Sequence, residues 1–372
     1  MLAIALYRGD KSVRLVEHPE PGPPGSGELL CRTLELGVCG TDREIVESAA
    51  PAGPEGEDYL LLGHECLARV EAVGPNVTGW QNGDLVVPTV RRAAADADYR
   101  IDMLSLGEFQ ERGIFHLHGF SAPLWRERPR YLYRIRPELA PYAVLTEPLA
   151  VAEKGIHEAI AVQQARLGKD FNWGTNAKAF SGQPATYPRV LVTGLGPIAF
   201  AAVIASRCRG WKTTIAGRDA ADTYRARLAT QFGATYRRQN ESEISGENVD
   251  RDGYDLVLEC TGSDEVLIGA TRLLASRGVM VWLGSSRTPE PKPLDVAQMM
   301  RDGVLRNHIH IGSVNAAPRD FEAALAHLEQ LRTTHAAALS GLITDRVTPQ
   351  EAPPHFSQRQ PQGIKTVIEY EC

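Results

Sequence analysis

The chain has 372 residues, of which 43% are hydrophobic, and its 40 basic and 46 acidic side chains leave a formal charge of −6. This length suits about two domains of roughly 100–200 residues each, and so mild an acidic excess gives no footprint for nucleic acid. No apolar run approaches a membrane span, and Met1-Leu2-Ala3-Ile4-Ala5-Leu6-Tyr7-Arg8-Gly9 is too short and too soon charged for a secretory segment, so a cytoplasmic protein is expected.

Residues 1 to about 140 are short apolar runs broken by turn signals such as Glu20-Pro21-Gly22-Pro23-Pro24-Gly25 and Gly74-Pro75-Asn76. Leu67 to Gly74 alternates as a half-buried strand does, and Gly83 to Pro88 reads as a turn followed by a strand. These features predict a β-rich, barrel-like domain. From Glu147 the texture changes to a helical pattern through Leu149–Ile156, and the polar stretch from 165 to 189 reads as a surface loop joining two domains, with no chemistry assigned to it. Strands are then predicted at Arg189–Val192, Thr213–Ala216, Leu256–Glu259, Val279–Leu283 and His310–Ile311, each but the last followed by a helix, which implies a parallel sheet. The tail Ile364–Tyr370 is expected to return as strand to the first domain. The predicted boundaries are therefore 1–150 with 316–372, and 151–315.

Chemistry concentrates in four segments. Cys39-Gly40-Thr41-Asp42, Gly63-His64-Glu65 and Glu147-Pro148 offer a thiolate, an imidazole and carboxylates, a donor set that suits a catalytic Zn²⁺ with one position left open. Spacing alone does not prove such a site, since buried cysteines and lone histidines are common structural residues. The fourth segment, Gly194-Leu195-Gly196-Pro197-Ile198-Ala199, follows a predicted strand and opens a helix of small residues, the setting in which a glycine loop binds a dinucleotide. Gly194 makes the tight turn, Gly196 admits the pyrophosphate to backbone N–H groups at the helix N-terminus, and Ala199 permits close packing of helix on strand.

The end of the next strand selects the cofactor. An acidic residue there would hydrogen-bond the ribose 2′-hydroxyl of NAD, and an arginine would meet the 2′-phosphate of NADP. The chain reads Gly217-Arg218-Asp219, which favours NADP while leaving Asp219 able to serve a 2′-hydroxyl. Arg225 and Arg227 read as solvated helix positions. Leu283-Gly284-Ser285, at a later strand end, is assigned to the same cofactor. The six cysteines show neither paired spacing nor the density of a disulfide scaffold and are taken as reduced thiols.

These segments resemble the medium-chain zinc-dependent dehydrogenases and, within them, the microbial glucose 1-dehydrogenases. The resemblance runs through nearly the whole chain: Val38–Val46, Leu62–Glu65, Glu111-Arg112-Gly113-Ile114 with His118-Gly119-Phe120, Glu147-Pro148-Leu149, and Ile311–Ala316. It implies an α/β chain in which a GroES-like, partly open β-barrel catalytic domain precedes a doubly wound Rossmann domain. It further implies a Zn²⁺ held by Cys39 and His64 with Glu147, and Glu65 as a further ligand or exchanging with water. Thr41 would begin a proton relay and, with Glu147, face the substrate. Glu111 and Asn315 would hydrogen-bond a sugar, and Ser313, Val314 and Asn315 would approach the nicotinamide.

The activity implied is oxidation of the C1 hydroxyl of D-glucose, or another aldose, to the lactone with hydride transfer to NADP or NAD. The alternatives are a polyol or other alcohol dehydrogenase and a non-enzymatic nucleotide-binding relative. Such relatives commonly bind a second, structural zinc through four cysteines, but the corresponding segment from Arg91 to Glu111 contains none. One zinc per subunit is expected, with this lobe held by packing of Ile101, Met103 and Leu104. Likeness to the family also implies a homodimer or homotetramer, a sugar substrate, and no nucleic-acid or membrane partner.

Overall fold

The structure, a computed structural model, describes residues 1–93, 100–168, 171, 173, 187–239, 253–285 and 295–370. It divides into two compact units, Met1–Glu147 with Asn315–Cys372, and Pro148–Val314.

In the first unit the main sheet runs in the order Leu132–Ile135, Leu85–Pro88, Glu65–Val73, Leu29–Gly37, Lys365–Glu369, Ile343–Val347, with Leu124–Glu127 also paired to Leu29–Gly37. All neighbours are antiparallel except the last two on that path, which are parallel. Leu29, Cys31, Leu36, Cys66, Ala68 and Val70 point into a core shared with Ile4, Phe120, Trp125 and Phe356. Register brings three strands level at one point, since Gly37 lies opposite both Glu65 and Val367. Gly37 is required there, because a Cβ at this position would sit 2.3 Å from Glu65 Oε2. The sheet thus leaves room for the Glu65 carboxylate where the chain turns towards Cys39.

The lobe rests only in part on the expected packing, with Ile101 and Leu104 half-buried. Met103 is 58% exposed. Instead the buried Arg91 guanidinium donates to the carbonyls of Ile101 and Asp102 at 3.4 and 2.9 Å and lies over the Phe109 ring at 3.7 Å. A side chain with five donors can tie a short loop together without a metal. Residues 94–99 of this lobe lie outside the described residues.

The second unit is a six-stranded sheet, parallel throughout, in the order Thr235–Arg238, Lys212–Gly217, Arg189–Thr193, Tyr254–Glu259, Leu274–Trp282, Ile309–Gly312. The chain begins in the middle, winds outward to one edge, then returns to build the other half. The reversal beside Arg189–Thr193 is the topological switch point at which such sheets bind ligands. Sequence reasoning placed five strands and missed Thr235–Arg238, because its Thr-Tyr-Arg-Arg sequence carries no apolar run. It needs none, being an edge strand paired on one side only. Leu274–Trp282 also starts before the predicted Val279: the register shifts opposite Tyr254 and Leu256, and Arg277 takes φ +66°, so turn-like residues interrupt the apolar pattern.

Most of the predicted excursion from 165 to 189 lies outside the described residues. Among its described residues Gly168 and Tyr187 are exposed, whereas Trp173 is buried and its carbonyl accepts the Trp211 indole N–H at 3.3 Å.

Candidate active site

The metal-type donors lie in the first unit. Cys39 is the N-cap of helix Gly40–Ser48, and Thr41, half-buried, sits in its first turn. His64 follows Gly63, whose φ of +84° turns the chain into strand Glu65–Val73. One donor atom from each of Cys39, His64 and Glu65 lies within 4.8 Å of the other two. Glu147, which opens the region of helix Thr146–Leu167, is buried beside this group but is not one of the three. The resemblance had placed Glu147 in the ligand set and left Glu65 in doubt, whereas the geometry gathers Glu65 with the sulfur and the imidazole.

His64 Nδ1 and Glu65 Oε1 are both buried and make no hydrogen bond among the described residues. The Asp42 carboxylate stands 3.5 Å from Nδ1, too far for a well-formed bond. Buried polar atoms left unpaired are costly, and a cation among the three donors would satisfy the Glu65 oxygen. Sulfur, nitrogen and oxygen donors together fit zinc rather than calcium or magnesium. The electrostatics agree. Burial would lower the His64 imidazole, but Asp42 and Cys39 hold it well above its ordinary range. Burial, countered by His64 but reinforced by Glu65, pushes the Glu147 carboxyl up to about 7. The pocket therefore favours positive charge at its centre.

Two residues that sequence reasoning did not assign support this group. Asp42 accepts the Cys39 N–H at 2.8 Å and the Gly63 N–H at 3.3 Å, tying the helix that bears the thiol to the turn before the imidazole. Lys365, fully buried on the returning strand, donates to Glu65 Oε2 and to the Val38 carbonyl at 3.3 Å. Asp42 was visible as the capping residue three positions after Cys39. Nothing in the tail sequence distinguishes Lys365 from a surface lysine.

Glu111 and Asn315 meet although 204 residues separate them: Asn315 Nδ2 donates to Glu111 Oε1 at 3.0 Å. The same oxygen accepts Arg91 Nε and Nη2 at 3.1 and 2.9 Å. Glu111 is therefore a buried carboxylate with one oxygen saturated, not a surface group. The turn after it packs on the residue before His64, since a Cβ on Gly113 would lie 2.5 Å from the Gly63 carbonyl oxygen.

The nucleotide-type residues lie in the second unit. After strand Arg189–Thr193, Gly194 turns at φ +99° and donates its N–H to the Ala216 carbonyl at 2.8 Å. Gly196 caps helix Pro197–Cys208, and the space a Cβ would enter at Gly196 is open to at least 4 Å, room for a ligand to reach the backbone. Ala199 is buried behind the turn, and Ile198 lies between it and Pro197 in the first helical turn. Leu195 folds over Gly217, where a Cβ would come within 2.6 Å of the leucine side chain. Thr193 Oγ1 and the Thr261 N–H both donate to the buried Glu259, fixing the ends of neighbouring strands.

At the strand end Arg218 is exposed, and Asp219 is held by Arg225 through Nε to Oδ2 at 2.9 Å and Nη2 to Oδ1 at 2.8 Å. Arg225 is thus not the solvated position that the sequence suggested. Leu283 donates its N–H to the Glu259 carbonyl at 2.8 Å, Gly284 packs on the Gly262 backbone, and the Ser285 backbone lies beside Gly262 too. Ser313 Oγ is buried without a partner among the described residues, and the Val314 carbonyl accepts Lys154 Nζ at 2.7 Å. Ser313 and Val314 close the second unit, and Asn315 begins the return to the first.

Comparison with known proteins bears on both units. Residues 25–119 match the alcohol dehydrogenase GroES-like domain, and residues 140–370 match the glucose dehydrogenase C-terminus. The glucose 1-dehydrogenase of Thermoproteus tenax is 39% identical over 94% of this chain and 94% of its own. That of Caldivirga maquilingensis is 37% identical over 96% and 95%. Among solved structures, Haloferax mediterranei glucose dehydrogenase in complex with NADP, Zn and gluconolactone superposes with a TM-score of 0.85 at 30% identity, covering 100% of both chains. The chain belongs to the medium-chain zinc-dependent dehydrogenases, in the glucose dehydrogenase branch.

Proposed function

We propose that the chain oxidises D-glucose at C1 to gluconolactone with NADP⁺ as hydride acceptor, using one zinc ion. The observation that carries this is the convergence of Cys39, His64 and Glu65, with His64 Nδ1 and Glu65 Oε1 buried and without partners among the described residues, in a chain 39% identical to a glucose 1-dehydrogenase. Cys39, His64 and Glu65 would hold the ion, with Glu147 at its side. When bound, the ion would lower the pKa of the sugar hydroxyl, and a nicotinamide would supply the acceptor for the hydride from C1.

The rest falls to the chain's own residues. Asp42 fixes the helix that bears Cys39 and faces the His64 ring, orienting both donors. The Thr41 hydroxyl, in the first turn of that helix, receives the proton that leaves the C1 hydroxyl and passes it outward. Glu111 presents its second oxygen to a sugar hydroxyl, its first being held by Arg91 and Asn315. Glu147, buried beside the group, bonds a sugar hydroxyl. In the second unit Gly194–Ala199 receives the pyrophosphate, Arg218 the 2′-phosphate, and Leu283–Ser285 with Ser313 and Val314 the nicotinamide end.

A screen at 340 nm of aldoses and polyols with NADP⁺ and NAD⁺, alongside metal analysis, tests the proposal. Glucose with NADP⁺ is expected to give the highest kcat/KM and about one zinc per chain. Oxidation of polyols alone would overturn the substrate, and a zinc-free active protein would overturn the metal.

We further infer a homo-oligomer assembled through the second unit. Strand Ile309–Gly312 is an edge strand, and helix Val296–Arg306 exposes Val296, Met300, Val304 and Leu305 at 52, 63, 74 and 65%. A strand paired on one side only among the described residues, together with an apolar helix surface in the same unit, favours pairing with a second copy. Light scattering after size exclusion is expected to give a dimer or tetramer. No helix among the described residues is long and apolar enough to cross a membrane. A cytoplasmic setting, which keeps the Cys39 thiol reduced, suits the free cysteines at 31, 39, 66, 208 and 260.

A further inference from the structure

Asp219 stands where a medium for discrimination between NAD and NADP is expected, directly after Gly217 and Arg218 at the end of strand Lys212–Gly217. A free carboxylate at that point would do two things. It would accept a hydrogen bond from a ribose 2′-hydroxyl, and it would repel a 2′-phosphate. Here both of its oxygens are occupied by the planar fork of Arg225, at 2.9 and 2.8 Å, an arrangement that fixes direction as well as charge. The pair is largely withdrawn from solvent, with 12% of the Asp219 side chain and 24% of the Arg225 side chain exposed. Tyr236, on the edge strand that sequence reasoning missed, donates its hydroxyl to the Asp219 carbonyl at 2.6 Å and to the Gly217 carbonyl at 3.1 Å, holding the loop still.

We propose that Arg225 determines cofactor choice by masking Asp219, so that the ribose edge meets cations and no usable carboxylate. Arg218 is exposed at that edge, and Arg238, also exposed, donates Nε to the Arg218 carbonyl at 3.4 Å. With Asp219 and Arg225 cancelling one another, two guanidinium groups remain to face a phosphate dianion. Arg225 acts through Asp219 and is a specificity-determining residue without touching the nucleotide. This inference rests on the reading that the glycine loop binds a dinucleotide.

The test compares kcat/KM for NADP⁺ and NAD⁺, and nucleotide binding by tryptophan fluorescence, in Arg225→Met, Asp219→Asn and the double variant. Arg225→Met frees the carboxylate and is expected to lower the ratio of NADP⁺ to NAD⁺ efficiency by at least about tenfold, the scale of one like-charge contact. Asp219→Asn is expected to leave NAD⁺ efficiency within about twofold, because a masked carboxylate serves no ribose. The double variant is expected to return towards the wild-type ratio. An unchanged ratio in Arg225→Met overturns the proposal, as does a double variant that stays poor with NADP⁺, which would make Arg225 a direct phosphate contact. If Arg225→Met fails to fold, Asp219→Asn still decides, since a large loss of NAD⁺ use in it shows the carboxylate unmasked. A wild-type chain that binds neither nucleotide would instead overturn the underlying reading of the glycine loop.

Discussion

The Asp42 carboxylate faces the His64 ring from 3.5 Å while its other oxygen accepts the Cys39 N–H at 2.8 Å. One fully buried side chain thereby spans two of the donors proposed to hold zinc, and it does so from a helix cap, where a carboxylate is also favoured by the N–H groups. Orienting partners of this kind are generally worth about 10–100-fold in metal affinity. Asp42→Asn keeps the shape and removes the charge, so it is expected to bind zinc about 10–100-fold more weakly, with turnover restored at raised zinc. Titration against a chromogenic chelator measures this. Cys39→Ala, which removes a donor outright, is expected to contain no zinc and to show no turnover at any zinc concentration, and normal activity in it would contradict the metal role.

Lys365 sets a second condition. Burial pulls its ammonium pKa down, but Glu65, Cys39 and Glu147 together raise it above the ordinary value, so it is charged and serves Glu65. Removing one partner of a buried pair strands the other and typically costs about 3–5 kcal/mol. Lys365→Met is expected to lose about that much stability in metal-free urea melts, and the deficit is expected to narrow on zinc addition, when a cation again faces Glu65. A deficit that does not change with zinc would place Lys365 in the framework alone.

The donors Cys39, His64 and Glu65 were legible because Cys39 precedes Gly40 and His64-Glu65 follows Gly63 in short, distinctive motifs, and the glycine loop because a strand and a small-residue helix frame it. Lys365 and Arg91 were not, for a physical reason: their function is to neutralise a carboxylate brought from far along the chain, and sequence shows only the cation. The return of the tail to the first domain was legible, but its place in the main sheet was not, since the pairing of Leu29–Gly37 with Lys365–Glu369 joins opposite ends of the chain. Thr235–Arg238 escaped notice because an edge strand is specified by its backbone partner more than by apolar pattern. Arg225 had looked solvated because its partner, Asp219, lies six residues away across a turn that sequence did not define.

Acid sensitivity follows from Glu127. Its Oε2 accepts Arg92 at 2.9 and 2.7 Å and Arg112 at 3.2 and 3.0 Å, all within the first unit. Burial alone would raise its pKa, but the two guanidinium groups hold it below the ordinary 4.5. A carboxyl whose folded pKa is depressed stabilises the fold fully above its unfolded pKa and loses that contribution as pH falls through the folded value. Glu127→Gln leaves the buried Arg92 and the half-buried Arg112 without their shared counter-charge and is expected to cost about 3–5 kcal/mol at pH 7. The difference from wild type is expected to shrink below pH 4.5, as the wild-type carboxyl takes up its proton. Urea midpoints across that range read it directly, and a difference that stays constant would show that the pair does not titrate with folding.

The Glu111 network makes a prediction that separates sugar binding from structure. Arg91 and Asn315 both bond Oε1, which leaves Oε2 as the oxygen available to a ligand among the described residues. In Glu111→Gln the amide can keep its carbonyl oxygen towards Arg91, but an N–H₂ group then occupies the position of Oε2, so an acceptor for a sugar hydroxyl becomes a donor. A hydrogen bond to a charged group is worth about 1.5–3 kcal/mol, so KM for glucose is expected to rise at least about tenfold while KM for NADP⁺ stays unchanged. Arg91→Lys keeps the charge and loses the fork, and it is expected to raise the glucose KM less in the wild-type background than Glu111→Gln does. Combined with Glu111→Gln it should add little, because both act through the same oxygen pair. Equal effects on both substrates, accompanied by a lowered melting temperature, would mean that the network braces the lobe and leaves sugar recognition to other residues.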